Sequence, residues 1–592
     1  MTFNPLTFFS RAGISLSSTS LVFLQFIICM SVFTSCNRTD VDVLVVGGGT
    51  SGVAAGVQAA RSGAQTMIVE ETPWLGGMLT SAGVSAVDGN YNLRGGIFAE
   101  FCDSLASRYG GYEALKSGWV SNIMFEPHVG NGIFRNMASS ESNLSVRYGY
   151  ALKGVRKLRR GWEVVFIPSG VEGTEPLYGR EFSVRAKVIV DATELGDLAA
   201  VCGVRYRIGM DSRDFTGENI APQTANDVVQ DMTYVAVLKD YGPDADMTIP
   251  CPEGYDPEDF ANSCKSSRST FPKPGRTLWS PQQMLDYGRL PGRKKYMLNW
   301  PIDGNDYYAN VIELSPEQRQ AEYAKAKNYT LRFLYYIQTE LGFRNIGIAD
   351  DEFPTSDGFP FYPYHRESRR IDGEVLFTVD AAAKPYDYPE PLYRTGIAVG
   401  DYAVDHHHYR HPRWAELPQL HFYPIPSFNV PLGSLIPKGV EDLIVAEKSI
   451  SVSNIMNGAT RLQPVVMGIG QAAGALAALS SSREIAVRDV PVRDVQDVLL
   501  AEGCYIMPYL DIKPSEPGFG AIQRIGATGM VKGEGRNVGW SNQTWFAADS
   551  TTVPYAERID STEDPFHNIP IDLHGWTDAE KDKPCKSAEH PF

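Results

Sequence analysis

A glycine loop between an apolar strand and a small-residue helix constrains this chain more than any other feature. Residues 41–46 (VDVLVV) form the kind of nearly continuous apolar run that is buried in a parallel sheet. The stretch GGGTSG follows at once, and Gly47, Gly49 and Gly52 have the G-x-G-x-x-G spacing. Gly47 permits a tight turn, Gly49 lets the backbone approach a pyrophosphate, and Gly52 lets the helix pack closely on the strand.

A second strand and an acid complete this pattern. Residues 66–69 (TMIV) form the next apolar strand, and Glu70 closes it. An acid about 20 residues beyond the glycines accepts the hydroxyls of an adenosine ribose and would repel a 2′-phosphate. The sequence therefore predicts an α/β fold with a Rossmann-type domain that holds a dinucleotide at a helix N-terminus.

The residues after Glu70 indicate which dinucleotide is bound. The stretch LGGM (75–78) follows the acid within a few residues, an arrangement that resembles the FAD-binding proteins of the glutathione reductase-like superfamily. That resemblance implies that the loop with Gly76, Gly77, Met78 and Thr80 passes near the ribityl chain and the flavin.

A second stretch with the same resemblance is DATELGDLAA (191–200), which follows the apolar strand 187–190. In related flavoproteins this is where the chain returns to the FAD. The resemblance implies backbone contacts from Ala192 and Thr193, whereas Glu194 stands where a glycine is usual.

A third stretch, residues 439–479, resembles the last FAD-binding segment, with a strand at 443–446 and a small-residue helix from about Arg461. It implies cofactor contacts from Glu447, Asn457, Gly458 and Arg461. We expect an exposed helix start at 457–460, whose N–H groups and dipole would stabilise negative charge on the flavin.

Residues 41–480 as a whole resemble the secreted branch of the FAD-dependent oxidoreductases, distantly related to fumarate reductase flavoproteins and heterodisulfide reductase A. This resemblance implies an FAD-dependent enzyme and leaves the substrate open. Beside the glycine loops no consensus histidine or cysteine for flavin attachment is recognisable, so we expect the FAD to be bound non-covalently. The chain has no CxxC motif, so we do not carry over the iron–sulfur clusters of the heterodisulfide reductase relatives.

The FAD-binding fold is expected to be split by an inserted α+β domain that covers the substrate. The insertion is rich in Pro, Tyr and Asp, and 316–341 has the apolar spacing of a helix. Part of the C-terminal region resembles S-layer-homology modules, and an accessory helical tail is the alternative. The predicted segments are a signal peptide (1–36), the FAD-binding domain in two parts (41–210 and 396–480), the insertion (211–395) and a C-terminal accessory region (481–592).

An apolar run at residues 20–33 is too short to span a bilayer comfortably and is typical of a signal peptide. Cys36 ends a lipobox-like FTSC, which predicts export to the periplasm or outer surface with a lipid anchor; an uncleaved anchor is the alternative. In an oxidising compartment Cys251 and Cys264, which flank a Pro- and Asp-rich loop, form a candidate disulfide. The net charge of −16 with scattered basic residues excludes a nucleic-acid-binding function.

Two groups of polar residues are candidates for catalysis. One interpretation of the dense cluster at 365–370 is that Arg366 or Arg369 orients a substrate oxygen while His365 moves a proton; the other is a surface ion-pair network. By the resemblance, His421 and Tyr423 line the substrate face of the flavin. The run of histidines at 406–408, with one more at 411, invites a metal interpretation, but adjacent side chains point to different faces and we predict no metal site.

The sequence thus predicts an FAD-dependent oxidoreductase that acts outside the cytoplasm on a small polar substrate. Export and the aromatic content suggest that this substrate is derived from a sugar. Two alternatives stay open. Oxidation of a sugar alcohol to a ketone acidifies the neighbouring C–H, which would permit a flavin-dependent lyase. A wall-binding or glycan-binding surface protein could instead carry FAD as a structural group.

Overall fold

The computed structural model describes residues 38–174, 179–270, 278–292, 294–538 and 541–546. The predicted signal segment at 20–33 and the predicted lipidation site Cys36 lie outside the described residues. The residues beyond 546 do so as well.

Strands and helices alternate through most of the described chain. The strands are β1 (Arg38–Val46), β2 (Thr66–Glu70), β3 (Leu144–Tyr148), β4 (Tyr150–Lys157), β5 (Trp162–Pro168), β6 (Phe182–Asp191), β7 (Tyr206–Arg207), β8 (Met232–Thr233), β9 (Ala236–Asp240), β10 (Lys295–Leu298), β11 (Asp306–Tyr307), β12 (Ile346–Ile348), β13 (Arg370–Ile371), β14 (Gly396–Gly400), β15 (Phe428–Pro431), β16 (Leu443–Val445), β17 (Glu534–Val538) and β18 (Ser541–Trp545). The helices are α1 (Thr50–Arg61), α2 (Gly96–Tyr109), α3 (Tyr112–Leu115), α4 (Pro127–Ser139), α5 (Asp197–Val201), α6 (Arg213–Thr216), α7 (Pro281–Tyr287), α8 (Pro316–Thr339), α9 (Val379–Ala383), α10 (Asn454–Thr460), α11 (Gln463–Arg483), α12 (Val492–Ala501) and α13 (Phe519–Thr528).

The largest sheet has the strand order β3-β2-β1-β6-β5-β4, and β16 pairs with β6 as well. The pairs β3–β2, β2–β1, β1–β6 and β6–β16 are parallel, whereas β4 and β5 are antiparallel to their neighbours. The carboxyl ends of β1, β2, β6 and β16 therefore meet at one edge of the sheet. This arrangement confirms the predicted α/β class with a Rossmann-type domain, and it gathers the three stretches with FAD-like sequence at that edge.

Helices α1 and α11 cross in backbone contact. A Cβ built on Gly470 would lie 2.2 Å from the carbonyl oxygen of Ser51, and one built on Gly474 would lie 2.2 Å from the carbonyl oxygen of Ala55. Within the described residues α11 is long and apolar enough to span a membrane, yet 83% of its most apolar window is buried in the protein. It is a core helix, and its small residues serve close packing.

The inserted region has its own apolar core, in which the three-stranded sheet β10-β9-β12 packs beside helix α8. The prediction of a helix at 316–341 is confirmed by α8. Cys264 is fully buried in this core, whereas Cys251 is exposed, and both thiols are free. The predicted disulfide between them is therefore wrong: apolar burial of Cys264 separates it from the exposed loop that carries its expected partner.

The predicted exposed helix start at 457–460 is also wrong. These residues are the buried second half of α10, which begins at Asn454 and is capped by the Ser453 side chain. A Cβ on Gly458 would lie 2.4 Å from the His406 ring, so this part of α10 packs against the histidine run. The next helix N-terminus lies at Gln463, the first residue of α11.

The crossing of α1 and α11 gives a prediction for stability. In Gly474→Val the new side chain meets the backbone of α1, which cannot move aside as a flexible side chain can. We expect a loss of about 3 kcal/mol and a fall of about 5 °C in the midpoint of thermal unfolding, followed by circular dichroism.

The matched control is Gly132→Ala on α4, because nothing lies within 4 Å of a Cβ built there. This variant should unfold at the native temperature or slightly above, since alanine is the better helix former. Equal midpoints for the two variants would contradict the claim that α1 and α11 are in backbone contact.

Candidate active site

The structure explains why glycine stands at three positions of the loop after β1. A Cβ on Gly47, which has φ +97°, would lie 2.3 Å from the Ala192 carbonyl oxygen, and one on Gly52 would lie 2.0 Å from the Gly47 carbonyl oxygen. At Gly49 the nearest atom would be Glu447 Oε2, at 3.6 Å. Packing thus forces glycine at two positions, and the third leaves open backbone where a pyrophosphate can approach the start of α1.

Glu70 is held at the end of β2 by backbone donors. The Gly48 N–H donates to Oε2 at 2.6 Å and the Thr72 N–H donates to Oε1 at 2.9 Å. Burial of the carboxyl raises its pKa. The acid expected to meet the adenosine ribose therefore lies against the glycine loop.

The second glycine pair packs over the first turn of α1. A Cβ on Gly77 would lie 2.8 Å from Gly49 Cα, and the Thr50 hydroxyl donates to the Gly76 carbonyl at 2.9 Å. Met78 Sδ lies 3.3 Å from Gln463 Nε2 at the start of α11. The structure thus places the predicted flavin-binding loop (76–80) between the N-termini of α1 and α11.

Lys448 is a functional candidate that the sequence-based site prediction omitted. Its Nζ lies 2.8 Å from Glu194 Oε1 and 3.0 Å from Glu447 Oε1, and its side chain has no solvent exposure. Glu447 in turn accepts hydrogen bonds from the Ser51 hydroxyl at 2.6 Å and the Ser51 N–H at 3.3 Å. Burial lowers the pKa of Lys448, but the two carboxylates outweigh burial and raise the pKa, so a cation is fixed beside the first turn of α1.

Three buried polar atoms of the third FAD-like stretch are available to bind a further group. Among the described residues, Asn457 Oδ1, Arg461 Nε and Gln463 Oε1 have no hydrogen-bond partner in the protein. Buried polar atoms are rarely left without a partner. All three residues belong to the stretch that resembles the last FAD-binding segment, so these atoms are candidates for hydrogen bonds to the cofactor.

The predicted cluster at 365–370 is buried and not a surface network. The Tyr323 hydroxyl and His365 Nε2 are 2.9 Å apart, and burial, with Lys448 and Arg319 nearby, lowers the pKa of His365 to about 3. Arg366 donates to Thr233 Oγ1 at 3.0 Å and to Asp306 Oδ1 at 3.2 Å.

Arg369 and Arg370 are bound within the protein. Arg369 donates to the Leu195 and Ile312 carbonyls at 2.9 and 2.7 Å and to Asp197 at 2.7 Å. Arg370 is fully buried and pairs with Glu367 at 2.7 Å. Arg369 thus joins Leu195 and Asp197, in the first predicted FAD-binding part, to Ile312 of the predicted insertion. A role of Arg369 toward substrate stays a prediction.

Asp405 joins the other predicted region to this cluster. His421 Nδ1 lies 2.9 Å from Asp405 Oδ1, and His407 Nε2 lies 2.9 Å from Asp405 Oδ2. Arg461 donates to the Asp405 carbonyl at 2.8 Å. Because His407 Nδ1 also lies 3.5 Å from Asp306 Oδ2, the two candidate groups form one polar network.

Tyr423 and the remaining histidines hold the loop around Asp405. The backbone of Tyr423 forms a two-way hydrogen-bonded bridge with Val404 at 2.8 and 2.9 Å. His406 Nε2 lies 3.3 Å from the Ile455 carbonyl oxygen. Within the described residues, the side chains with metal-ligating geometry are elsewhere, at Glu126, His128 and Glu352, and Lys295 Nζ already lies 2.7 Å from Glu352.

Sequence comparison agrees with this cofactor site. The chain matches the family described as FAD dependent oxidoreductase over residues 42–499. The chain belongs to this family. As a member of the FAD dependent oxidoreductases it binds FAD and is an enzyme, and its fold places the three FAD-like stretches around one sheet edge.

Individual relatives of this FAD dependent oxidoreductase are distant. The alpha subunit of sarcosine oxidase from Corynebacterium sp. (strain U-96) is 50% identical over 48 residues, which is 8% of this chain and 5% of that protein. The crystal structure of AlpK aligns with 83% of this chain and 73% of its own, at 12% identity and a TM-score of 0.32. L-proline dehydrogenase from P. horikoshii aligns over 31% of this chain and 26% of its own, at 16% identity and a TM-score of 0.16.

Sequence analysis missed three members of the polar network. Asp405 immediately precedes the histidine run. The pattern DHHH at 405–408 was therefore the sequence signal that could have identified Asp405 and His407. Asp306 comes from the insertion, about 100 residues earlier, and nothing in its sequence neighbourhood indicates a partner at 407.

The contacts of Glu70 give a prediction for cofactor binding. Glu70→Ala removes the acceptor of the Gly48 and Thr72 N–H groups and the expected ribose contact. We expect the FAD dissociation constant to rise at least about tenfold, or about 1.4 kcal/mol, in titrations of the apoprotein followed by flavin fluorescence.

Glu113→Ala is the control for this experiment, because Glu113 is an exposed acid on α3 that pairs with Lys116 at the surface. It should leave FAD affinity unchanged. Native affinity in Glu70→Ala would show that the acid at the end of β2 does not contribute to FAD binding.

Proposed function

We propose that this chain oxidises a small polar metabolite outside the cytoplasm with non-covalently bound FAD. One observation supports this most: a buried network of histidines, acids and arginines adjoins residues of the predicted FAD-binding segment. Arg461 links the two sets: its Nε has no hydrogen-bond partner in the protein, and its Nη2 donates to the Asp405 carbonyl oxygen. Arg461 therefore connects the residues that could move a proton to the predicted cofactor-binding residues.

The residues of the chain have distinct parts in this function. FAD supplies the electron transfer when bound. The open backbone at Gly49 and the N-terminus of α1 would hold the pyrophosphate, and Lys448 would neutralise Glu447, which lies beside Gly49. Asn457 and Gln463 would bind the polar edge of the flavin, and His407 with Asp405 would take up the proton that the substrate loses.

The substrate class and the location are part of the proposal. Export rests on the apolar run at 20–33 and the cysteine at 36, and a sugar-derived substrate rests on export together with the aromatic content of 11%. A lipid on Cys36 would keep the protein at the membrane. Replacement of Cys36 by Ser should then move the protein from the membrane pellet to the soluble fraction, whereas an unchanged distribution would argue against the lipid anchor.

The proposed activity can be tested on the purified protein. We expect a yellow protein whose flavin stays in the supernatant after acid precipitation, because no histidine or cysteine positioned for flavin attachment is recognisable beside the glycine loops. Pools of hydroxy acids, sugar alcohols, aldoses and amines are then mixed with it anaerobically, and loss of the flavin absorption is recorded. At least one pool of polar compounds should bleach the flavin.

Three other outcomes would contradict the proposal in different ways. A folded protein that takes up no FAD would exclude the flavoenzyme function altogether. An unsaturated product without consumption of an oxidant would indicate the lyase. Flavin that neither substrates nor dithionite reduces would indicate a structural cofactor in a binding protein.

A further inference from the structure

The buried charges at the carboxyl ends of β6 and β16 are not balanced. Lys448 Nζ lies 2.8 Å from Glu194 Oε1 and 3.0 Å from Glu447 Oε1, so two acids share one ammonium group. The Lys448 side chain has no solvent exposure, that of Glu447 is 2% exposed and that of Glu194 is 16% exposed. When both acids are ionised, these three side chains together carry a net negative charge.

The three side chains lie beside the backbone that is expected to bind the pyrophosphate of FAD. Glu447 Oε2 accepts a hydrogen bond from the Ser51 N–H at 3.3 Å, in the first turn of α1. Glu70 accepts one from the Gly48 N–H, in the glycine loop, at 2.6 Å. The negative charge of the pyrophosphate would therefore add to that of acids already present, and like charges in a buried site repel strongly.

We propose that Glu194 takes up a proton from solvent when FAD binds. Glu447 and Glu70 are each held by backbone N–H donors, for which an ionised carboxylate is the better acceptor. Within the described residues, Glu194 instead has Lys448 as its one hydrogen-bond donor. Once protonated, Glu194 adds no charge to the site, and Lys448 still neutralises Glu447. Proton uptake goes beyond the proposed oxidation and is independent of the substrate.

The surroundings of Glu194 favour its neutral form. Burial raises the pKa of this carboxyl to about 7, with added effects from the charges of Glu447 and Glu70 and an opposing effect from Lys448. A further negative charge beside the site raises the pKa again, because like charges disfavour ionisation. Glu194 is therefore partly ionised in the free protein at neutral pH and protonated in the complex with FAD.

Neutral or exposed groups complete the surroundings of Glu194. Burial raises the pKa of Tyr323 and of Tyr362, which face Glu194, well above their usual range, so both hydroxyls stay neutral. Burial lowers the pKa of His365 to about 3, so this ring is neutral as well. Glu71 is exposed to solvent, which screens its charge and weakens the effect of FAD on its ionisation. The arginines at this edge, Arg319 and Arg369, are both paired with Asp197.

Proton uptake gives the affinity for FAD a defined pH dependence. Below about pH 7 Glu194 is already protonated in the free protein, so binding needs no further proton and the affinity is constant. Above about pH 7 a proton must be taken from solvent, and each pH unit weakens binding by up to about tenfold. The pyrophosphate stays ionised throughout, so the proton goes to the protein.

Release of FAD from the holoprotein tests this proton uptake. The purified holoprotein is diluted into buffers between about pH 6 and about pH 9, and the fluorescence of the released flavin gives the FAD dissociation constant at each pH. We expect this constant to rise about tenfold or more from the lowest to the highest pH. Glu194→Gln, which resembles the protonated acid, should have the native affinity at the lowest pH and show no such rise. At the highest pH the variant should therefore bind FAD more tightly than the native protein.

Glu163→Gln is the matched control. Glu163 is 14% exposed, close to the exposure of Glu194, and it pairs with Arg185 at 2.9 Å near the beginning of β6, at the other end of that strand. This variant should keep the native pH dependence, and so should Glu71→Gln. Thermal unfolding establishes that each variant is folded.

A native dissociation constant that does not change with pH would overturn the proposal by itself, without any variant. A rise that persists in Glu194→Gln would assign the proton to another acid, and weaker binding of this variant at every pH would make Glu194 an ordinary FAD contact; either result also overturns it. The measurement requires neither a substrate nor flavin reduction. Failure of the proposed oxidation and failure of proton uptake are thus separate results.

Discussion

The close approach of the β1–α1 turn to the strand beside it is the constraint on which the rest of this structure depends. The turn at Gly47 is in contact with the Ala192 carbonyl, and α1 begins so near to the turn that Gly52 has no room for a side chain. This packing fixes the direction in which the N-terminus of α1 points. It also fixes the edge of the sheet at which Glu70, Gly77 and Glu447 gather around the same backbone.

Helix α11 extends this constraint into the core. Its glycines let it cross α1 at backbone distance, and its first residue, Gln463, consequently meets the Met78 loop. The buried charges follow from the same geometry: Lys448 reaches both Glu194 and Glu447 because β6 and β16 are neighbouring parallel strands that end together. Removing one member of such a buried group would leave uncompensated charge, which costs several kcal/mol.

The predicted insertion (211–395) contributes Asp306 and Arg366 to the polar network. Asp306 belongs to the short strand β11, which pairs with β8, and Arg366 binds both this acid and Thr233 of β8. His407 approaches Asp306 from the second part of the FAD-binding domain. The network therefore spans two parts of the fold, and a relative movement of these parts would change the separation of His407 from Asp306.

Much of the cofactor-binding half could be predicted from the sequence alone because its signals are local. The strand, glycine, helix and acid order at 41–70 specifies backbone geometry within one βαβ unit, and α8 has the unbroken spacing of a helix. Other local signals misled: the small residues at 457–460 suggested a helix start, but Ser453 caps α10 one turn earlier. The cysteine pair flanking a loop suggested a bridge, but the core of the insertion buries Cys264.

The candidate catalytic network was decided by tertiary structure. His421, Arg366 and Arg461 were visible as residue types of interest, but the acids that connect them, Asp306 and Asp405, have no spacing that predicts their pairing. The physical reason is the sequence separation of the residues that interact. Turns and periodic burial are set by neighbours along the chain. The partner of a buried charge, in contrast, is whichever group the packing of distant segments brings within hydrogen-bond distance.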